Sequence, residues 1–89
     1  MSNIPANIRR MAHDREFKVT LRIRRSGLSD AMFDELDAQL QSRKVVKIKM
    51  NKGLVEERGA RQEVFEEIAA RTNAILVDAR GNVAIYWRA

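Results

Sequence analysis

The feature that most constrains this chain is a change of apolar period from two to 3.6 and back to two within 34 residues. Phe17-Lys-Val-Thr-Leu-Arg-Ile-Arg24 alternates strictly, with Phe17, Val19, Leu21 and Ile23 on one side and Lys18, Thr20, Arg22 and Arg24 on the other. That pattern predicts a half-buried strand. Leu28, Met32, Leu36 and Leu40, with Phe33, then recur at helical spacing to about residue 42. Val45 to Met50 alternates again, with Val46, Ile48 and Met50 opposite Val45, Lys47 and Lys49. A strand, a helix and a strand in immediate succession predict a βαβ crossover with parallel strands.

The punctuation agrees with this division. Ser29 is a predicted N-cap and Asp30 suits a helix N-terminus, while Leu28 and Phe33 sit at the two positions of a hydrophobic staple. Upstream, Pro5, with Ile4, Ile8, Met11 and Ala12 at helical spacing, predicts a short helix over 5–14, with Arg9 and Arg10 outward. Asn51-Lys-Gly53 breaks the second strand, and 51–59 reads as a loop. A second long helix is expected over 60–72, with Val64, Phe65, Ile68, Ala69 and Thr72 inward and Asn73 as its stop. Strands are expected over 74–79 and 83–88, joined by the tight hairpin signal Arg80-Gly81-Asn82. The predicted order is αβαβαββ. It gives an α/β (α+β two-layer) single domain over 1–89, with a four-stranded mixed sheet.

Bulk properties narrow the function classes. The chain has 89 residues, 45% of them hydrophobic and 33% charged, which is globular rather than disordered in character. It has no cysteine, which excludes a disulfide framework, a cysteine zinc site and a thiolate nucleophile. This absence fits a reducing, cytoplasmic setting. The longest apolar runs are a few residues, too short for a membrane helix, and no secretory leader is legible. No P-loop motif occurs. The lone histidine, His13 beside Asp14, has no legible nucleophile or orienting partner, and the pairs Glu56-Glu57 and Glu66-Glu67 lack metal-loop spacing. No enzyme, cofactor, metal or small-molecule substrate is expected.

The charge pattern points elsewhere. Net charge is +5, with a pI near 10.2. Residues 1–25 hold seven basic residues against two acids, and the remaining chain sums to zero. Asp30, Asp34, Glu35 and Asp37 occur together without a base, whereas Arg43, Lys44, Lys47, Lys49 and Lys52 occur together without an acid. Segregation of this kind makes a positive region rather than a mixed surface. At its centre is Arg22-Ile-Arg-Arg-Ser-Gly-Leu-Ser-Asp30. Arg24, Arg25 and Ser26 fall in the turn from strand to helix, and Gly27 permits a positive φ and close backbone approach. Two guanidinium forks, a glycine and a helix N-terminus together are suited to phosphate. The plainer reading is a strand–helix turn whose arginines are solvated or pair with the helix acids. With both long helices on one face, the other face is expected to show Lys18, Arg22, Arg24, Lys47 and Lys49. Tyr86 is expected to face outward for base stacking, with Arg88 at the same parity, while Val83, Ile85 and Trp87 face the core.

The run Ile23–Met50, "IRRSGLSDAMFDELDAQLQSRKVVKIKM", resembles the core of the CRM domain (chloroplast RNA splicing and ribosome maturation; bacterial YhbY-like proteins). Ile23, Arg25, Gly27, Leu28 and Ser29 fall on the family's first motif and "VVKIKM" at 45–50 on its second. "EVFEEIAARTNAILVDARGNVAIYWR" at 63–88 is similar to its last helix and hairpin, through Ala74, Leu76, Val77, Gly81, Tyr86 and Arg88, with Trp87 inserted. "RRMAHD" at 9–14 resembles the first helix, at a spacing about two residues longer. The resemblance covers roughly residues 8–88. It implies a fold similar to the C-terminal domain of bacterial translation initiation factor three, and RNA binding in ribosome assembly or organellar splicing. It also implies a KH-like Gly-x-x-Gly loop. Here Arg24 stands at the first glycine, which implies grip by side-chain charge in place of a backbone clamp.

The resulting expectation is an RNA-binding protein, a monomer, that binds structured ribosomal RNA in large-subunit assembly. The expected contacts are Arg22, Arg24, Arg25, Ser26, Gly27, Lys47 and Lys49, extended by Arg9, Arg10, Lys18, Tyr86 and Arg88. A protein–protein interaction module and a small basic duplex-DNA-binding protein are the alternatives.

Overall fold

In the computed structural model, which describes residues 4–24, 27–51 and 58–89, the sheet is built outward from two interior strands, Val45–Met50 and Val83–Trp87. The elements run α1 (Ala6–Ala12), β1 (Leu21–Ile23), α2 (Asp30–Arg43), β2 (Val45–Met50), α3 (Arg58–Arg71), β3 (Ile75–Arg80) and β4 (Val83–Trp87). The sheet order is β1-β2-β4-β3. β1 and β2 are parallel, and β4 is antiparallel to both its neighbours. The α/β order, the βαβ crossover and the four-stranded mixed sheet read from the sequence are all present.

Local signals explain the element ends. The Ser29 hydroxyl accepts from the Met32 amide at 3.2 Å, capping α2. Asn73 has φ 53°, and behind it the Ala74 amide donates to the Ala69 carbonyl at 3.0 Å while Asn73 donates to Ala70. This paired 6→1 and 5→2 pattern closes α3 as a Schellman motif. Gly81 at φ 55° makes the two-residue hairpin turn that sets Arg80 opposite Val83.

Two apolar clusters lie on opposite faces of the sheet. The larger packs Met32, Leu36 and Leu40 of α2 and Phe65 and Ile68 of α3 onto Ile23, Val46, Ile48, Met50, Ala84 and Tyr86. Each of these large side chains contributes about 1.5–3 kcal/mol by leaving water. The smaller cluster packs Ile8 and Ala12 of α1 onto Val45 and Ile85, with Phe17, Val77 and Trp87 partly buried around it. α1 therefore forms a partial third layer on the face opposite the long helices.

That third layer corrects four details of the sequence reading. Tyr86 faces the main core and is fully buried, whereas Val83, Ile85 and Trp87 lie on the α1 side. Both parities of β4 are apolar because both faces are covered, so alternation alone cannot orient it. The expected strand over 17–24 is ordered into the ladder only at Leu21–Ile23. Phe17 belongs to the α1 cluster and breaks the parity it was expected to share with Leu21 and Ile23. The segment before β1 is held by one backbone bond, from the Thr20 amide to the Lys47 carbonyl at 3.0 Å, and by side chains: the Gln39 amide donates to the Thr20 carbonyl, and Lys47 Nζ donates to the Phe17 carbonyl at 2.9 Å. Finally, Met11, expected inward, is 40% exposed, since the short α1 buries only Ile8 and Ala12.

Candidate nucleic-acid interface

The parallel pair β1 and β2 sets the geometry of the site. Their carboxyl ends lie side by side, with Leu21 opposite Ile48, Arg22 opposite Lys49 and Ile23 opposite Met50. The chain leaving β1 turns directly into α2. Crevices outside the carboxyl ends of parallel strands are the usual ligand positions of α/β sheets. Here one depression is lined by Arg22, Arg24, Lys49 and Asn51, and a second by Arg22, Arg24, Gly27, Ser29 and Glu35. Arg22 and Arg24 therefore line both.

Each side chain has a local reason for its position. Ile23 is fully buried, so its neighbours Arg22 and Arg24 are turned to solvent. Ile48 and Met50 are buried, which puts Lys49 on the same exposed face as Arg22. Among the described residues, none of Arg22, Arg24 and Lys49 is paired with a carboxylate. Gly27 has φ 78°, and its amide donates to the Arg24 carbonyl at 2.8 Å. Open space lies around its α-carbon, so the positive φ is what calls for glycine here. Asp30 in the first turn of α2 already answers the helix dipole, which leaves the guanidinium and ammonium groups as the main attraction for an anion.

The other expected contacts divide clearly. Lys18, Arg9 and Arg10 are exposed, the last two on α1. Lys47 is half-buried and committed to the Phe17 carbonyl. Arg25 and Ser26 lie outside the described residues, as does most of the expected loop, with Glu56 and Glu57. Tyr86 is a correction: its hydroxyl donates to the Phe65 carbonyl at 2.8 Å inside the core, where it can stack on no base. Burial also pushes its phenol well above the ordinary tyrosine range. Arg88 is a second correction. Its guanidinium holds the Asp37 carboxylate at 2.6 Å and the Thr72 carbonyl at the end of α3, and its amide donates to the Lys44 carbonyl. It ties α2, α3 and β4 together and is not part of the exposed basic face.

Sequence reading missed Arg80, which it assigned to the hairpin turn. Arg80 is exposed at the end of β3, 3.3 Å from Asp78 and 3.3 Å from His13 Nδ1. Counting back from the two-residue turn through Val83 to Lys49 would have placed it on the basic face. Among the described residues, no group of three or more potential metal ligands occurs, and no helix is long and apolar enough to cross a membrane.

An exposed basic edge beside a helix start, with no described carboxylate paired to Arg22, Arg24 or Lys49, lies on a mixed sheet backed by two helices, an α/β class of domain. The match to known proteins is consistent with it. The family model for the CRS1 / YhbY (CRM) domain matches residues 5–88, and the chain belongs to that family of RNA-binding domains. A solution structure of a hypothetical protein from Staphylococcus aureus, described as an RNA-binding candidate, superposes with a TM-score of 0.75 at 22% identity. The match covers 93% of this chain and 81% of that one, and it establishes the shared fold. No curated protein matches the chain.

Proposed function

We propose that this domain binds structured RNA, ribosomal RNA of an assembling large subunit, through the edge formed by Arg22, Arg24 and Lys49. Arg25 and the Ser26-Gly27 backbone belong to the same contact, and Lys18, Arg9 and Arg10 extend it. The domain acts as a cytoplasmic monomer and uses no cofactor. The observation that carries this reading is the register of Arg22 against Lys49, with Arg24 beside them and no described carboxylate paired to any of the three. Family membership supports RNA as the polyanion. The ribosomal target is the reading most in keeping with that family.

The test is binding of a structured ribosomal RNA fragment and of duplex DNA, across a salt series, by wild type and by Arg22→Glu/Arg24→Glu. Tighter binding to RNA, with affinity falling steeply in salt, is the expected wild-type behaviour. The variant is expected to lose at least about tenfold in RNA affinity, equivalent to about 1.4 kcal/mol, and to flatten the salt slope. Unchanged RNA affinity in the variant would sink the proposal. Equal or better binding to duplex DNA would favour the DNA reading instead.

A further inference from the structure

The strand register draws a line across the whole sheet. Arg22 on β1 pairs with Lys49 on β2, Lys49 pairs with Val83 on β4, and Val83 pairs with Arg80 on β3. All four share one face, because their neighbours Ile23, Met50, Ala84 and Ala79 pack into the core on the other. Arg22, Lys49 and Arg80 are exposed and Val83 is half-buried. The row crosses three strand spacings of about 4.8 Å, so roughly 14 Å, perpendicular to the strands. On one side it is bounded by the C-terminal end of α1, where His13, the residue after the helix, meets Arg80. The sheet floor there holds Lys47 and Ile85. Beyond the row, on the other side, the sheet ends at Asn51 and Asn82.

We infer that this row is a track for the backbone of a single RNA strand, running from the Arg22–Arg24 edge across the sheet to Arg80. This inference rests on the RNA reading above and specifies the substrate class and path at the same site. The track is long enough for a few nucleotides of one strand. A slot one row wide beside a standing helix accepts one backbone. A duplex, with two backbones flanking grooves several ångströms wide, sets its phosphates outside it. The row carries no aromatic side chain, and Tyr86 is closed inside the core. Its grip is therefore electrostatic and tolerant of sequence. Asp78, 3.3 Å from Arg80, partly neutralises the far end of the track.

The test compares wild type, Arg22→Gln, Arg80→Gln and Asp78→Asn by fluorescence anisotropy. The probes are a mixed-sequence single-stranded RNA dodecamer and the blunt RNA duplex of the same sequence, each titrated at several salt concentrations. Arg80 is exposed, so its substitution leaves the core intact, which a thermal melt verifies. Both glutamine variants are expected to bind the single strand several-fold more weakly, each lowering the salt slope by about 0.7. Asp78→Asn is expected to tighten it. Loss in Arg22→Gln with unchanged affinity and slope in Arg80→Gln would overturn the track and leave the proposed function standing. No loss in either would overturn both. Equal losses on the duplex would overturn the single-strand assignment.

Discussion

The two faces of the sheet use the same strands for opposite ends. The face under α2 and α3 is closed: Leu36, Leu40, Val46, Ile48, Met50, Ile68 and Tyr86 have no measurable exposure. The face under α1 is closed over only part of its area, where the smaller cluster packs around Val45 and Ile85. The remainder carries Arg22, Lys49 and Arg80 in the open. Arginine shows the contrast most directly. Arg88 is enclosed by Asp37, Thr72 and the helix ends and serves packing, whereas Arg22 has no paired carboxylate among the described residues. A basic residue in this fold is available to an anion only where the core does not enclose it.

The strongest way to break this division is at Tyr86. Tyr86→Ala is expected to cost about 3–5 kcal/mol, as for other large buried aromatics, and to be visible in urea or thermal unfolding. Tyr86→Phe keeps the packing and removes the hydroxyl's hydrogen bond to the Phe65 carbonyl, for about 0.5–1.5 kcal/mol. RNA affinity of folded Tyr86→Phe is expected to equal wild type. A loss of RNA binding without a loss of stability would return the residue to the interface. Alkaline titration sharpens the point. The phenol is raised in the folded state, so the native protein holds its proton more tightly than the unfolded chain. Stability from this group is complete below the unfolded value of about 10 and declines as pH rises above it. Tyr86→Phe should abolish that part of the alkaline decline.

Arg88→Met comes next in size. Removing the guanidinium unpairs Asp37, which is partly exposed, and the Thr72 carbonyl, for about 1–3 kcal/mol. The salt dependence of RNA binding should not change, and a flatter slope would place Arg88 at the interface after all. Gln39→Ala is the smallest of the three. Gln39 accepts from the Thr20 hydroxyl at 2.5 Å and donates to its carbonyl, so its loss removes two of the bonds that hold the segment leading into β1. About 1 kcal/mol of stability is expected to go. Amide exchange at Leu21–Ile23 should rise more than at β2, and uniform protection across both strands would contradict this role for Gln39.

What the sequence made legible followed from unambiguous local physics. Val46, Ile48 and Met50 against Lys47 and Lys49 allow one orientation, and the structure has it. Ser29, Asn73 and Gly81 each mark an element end by a mechanism that works within a few residues. The failures were all non-local. Ala84 and Tyr86 compete with Val83, Ile85 and Trp87, and only the presence of α1 across the sheet decides which set meets which helix. Phe17 continues the alternation of β1 in sequence but leaves the ladder in space, drawn to the α1 cluster. The basic edge was legible for Arg22, Arg24 and Lys49. Arg80 was hidden because its place depends on a register passed through two antiparallel pairings.

The strand order has a consequence for how the chain acquires its structure. β4, last of the four strands in sequence, lies between β2 and β3, which do not pair with one another. Until residues 83–87 are synthesised, β2 can pair only with the three-residue β1, and β3 has no strand to pair with. The sheet therefore closes in one late step, when β4 enters and satisfies both neighbours together. Up to that moment the nascent chain carries an open edge on β2 and a wholly unpaired β3, and this is the interval in which it most needs protection from wrong partners.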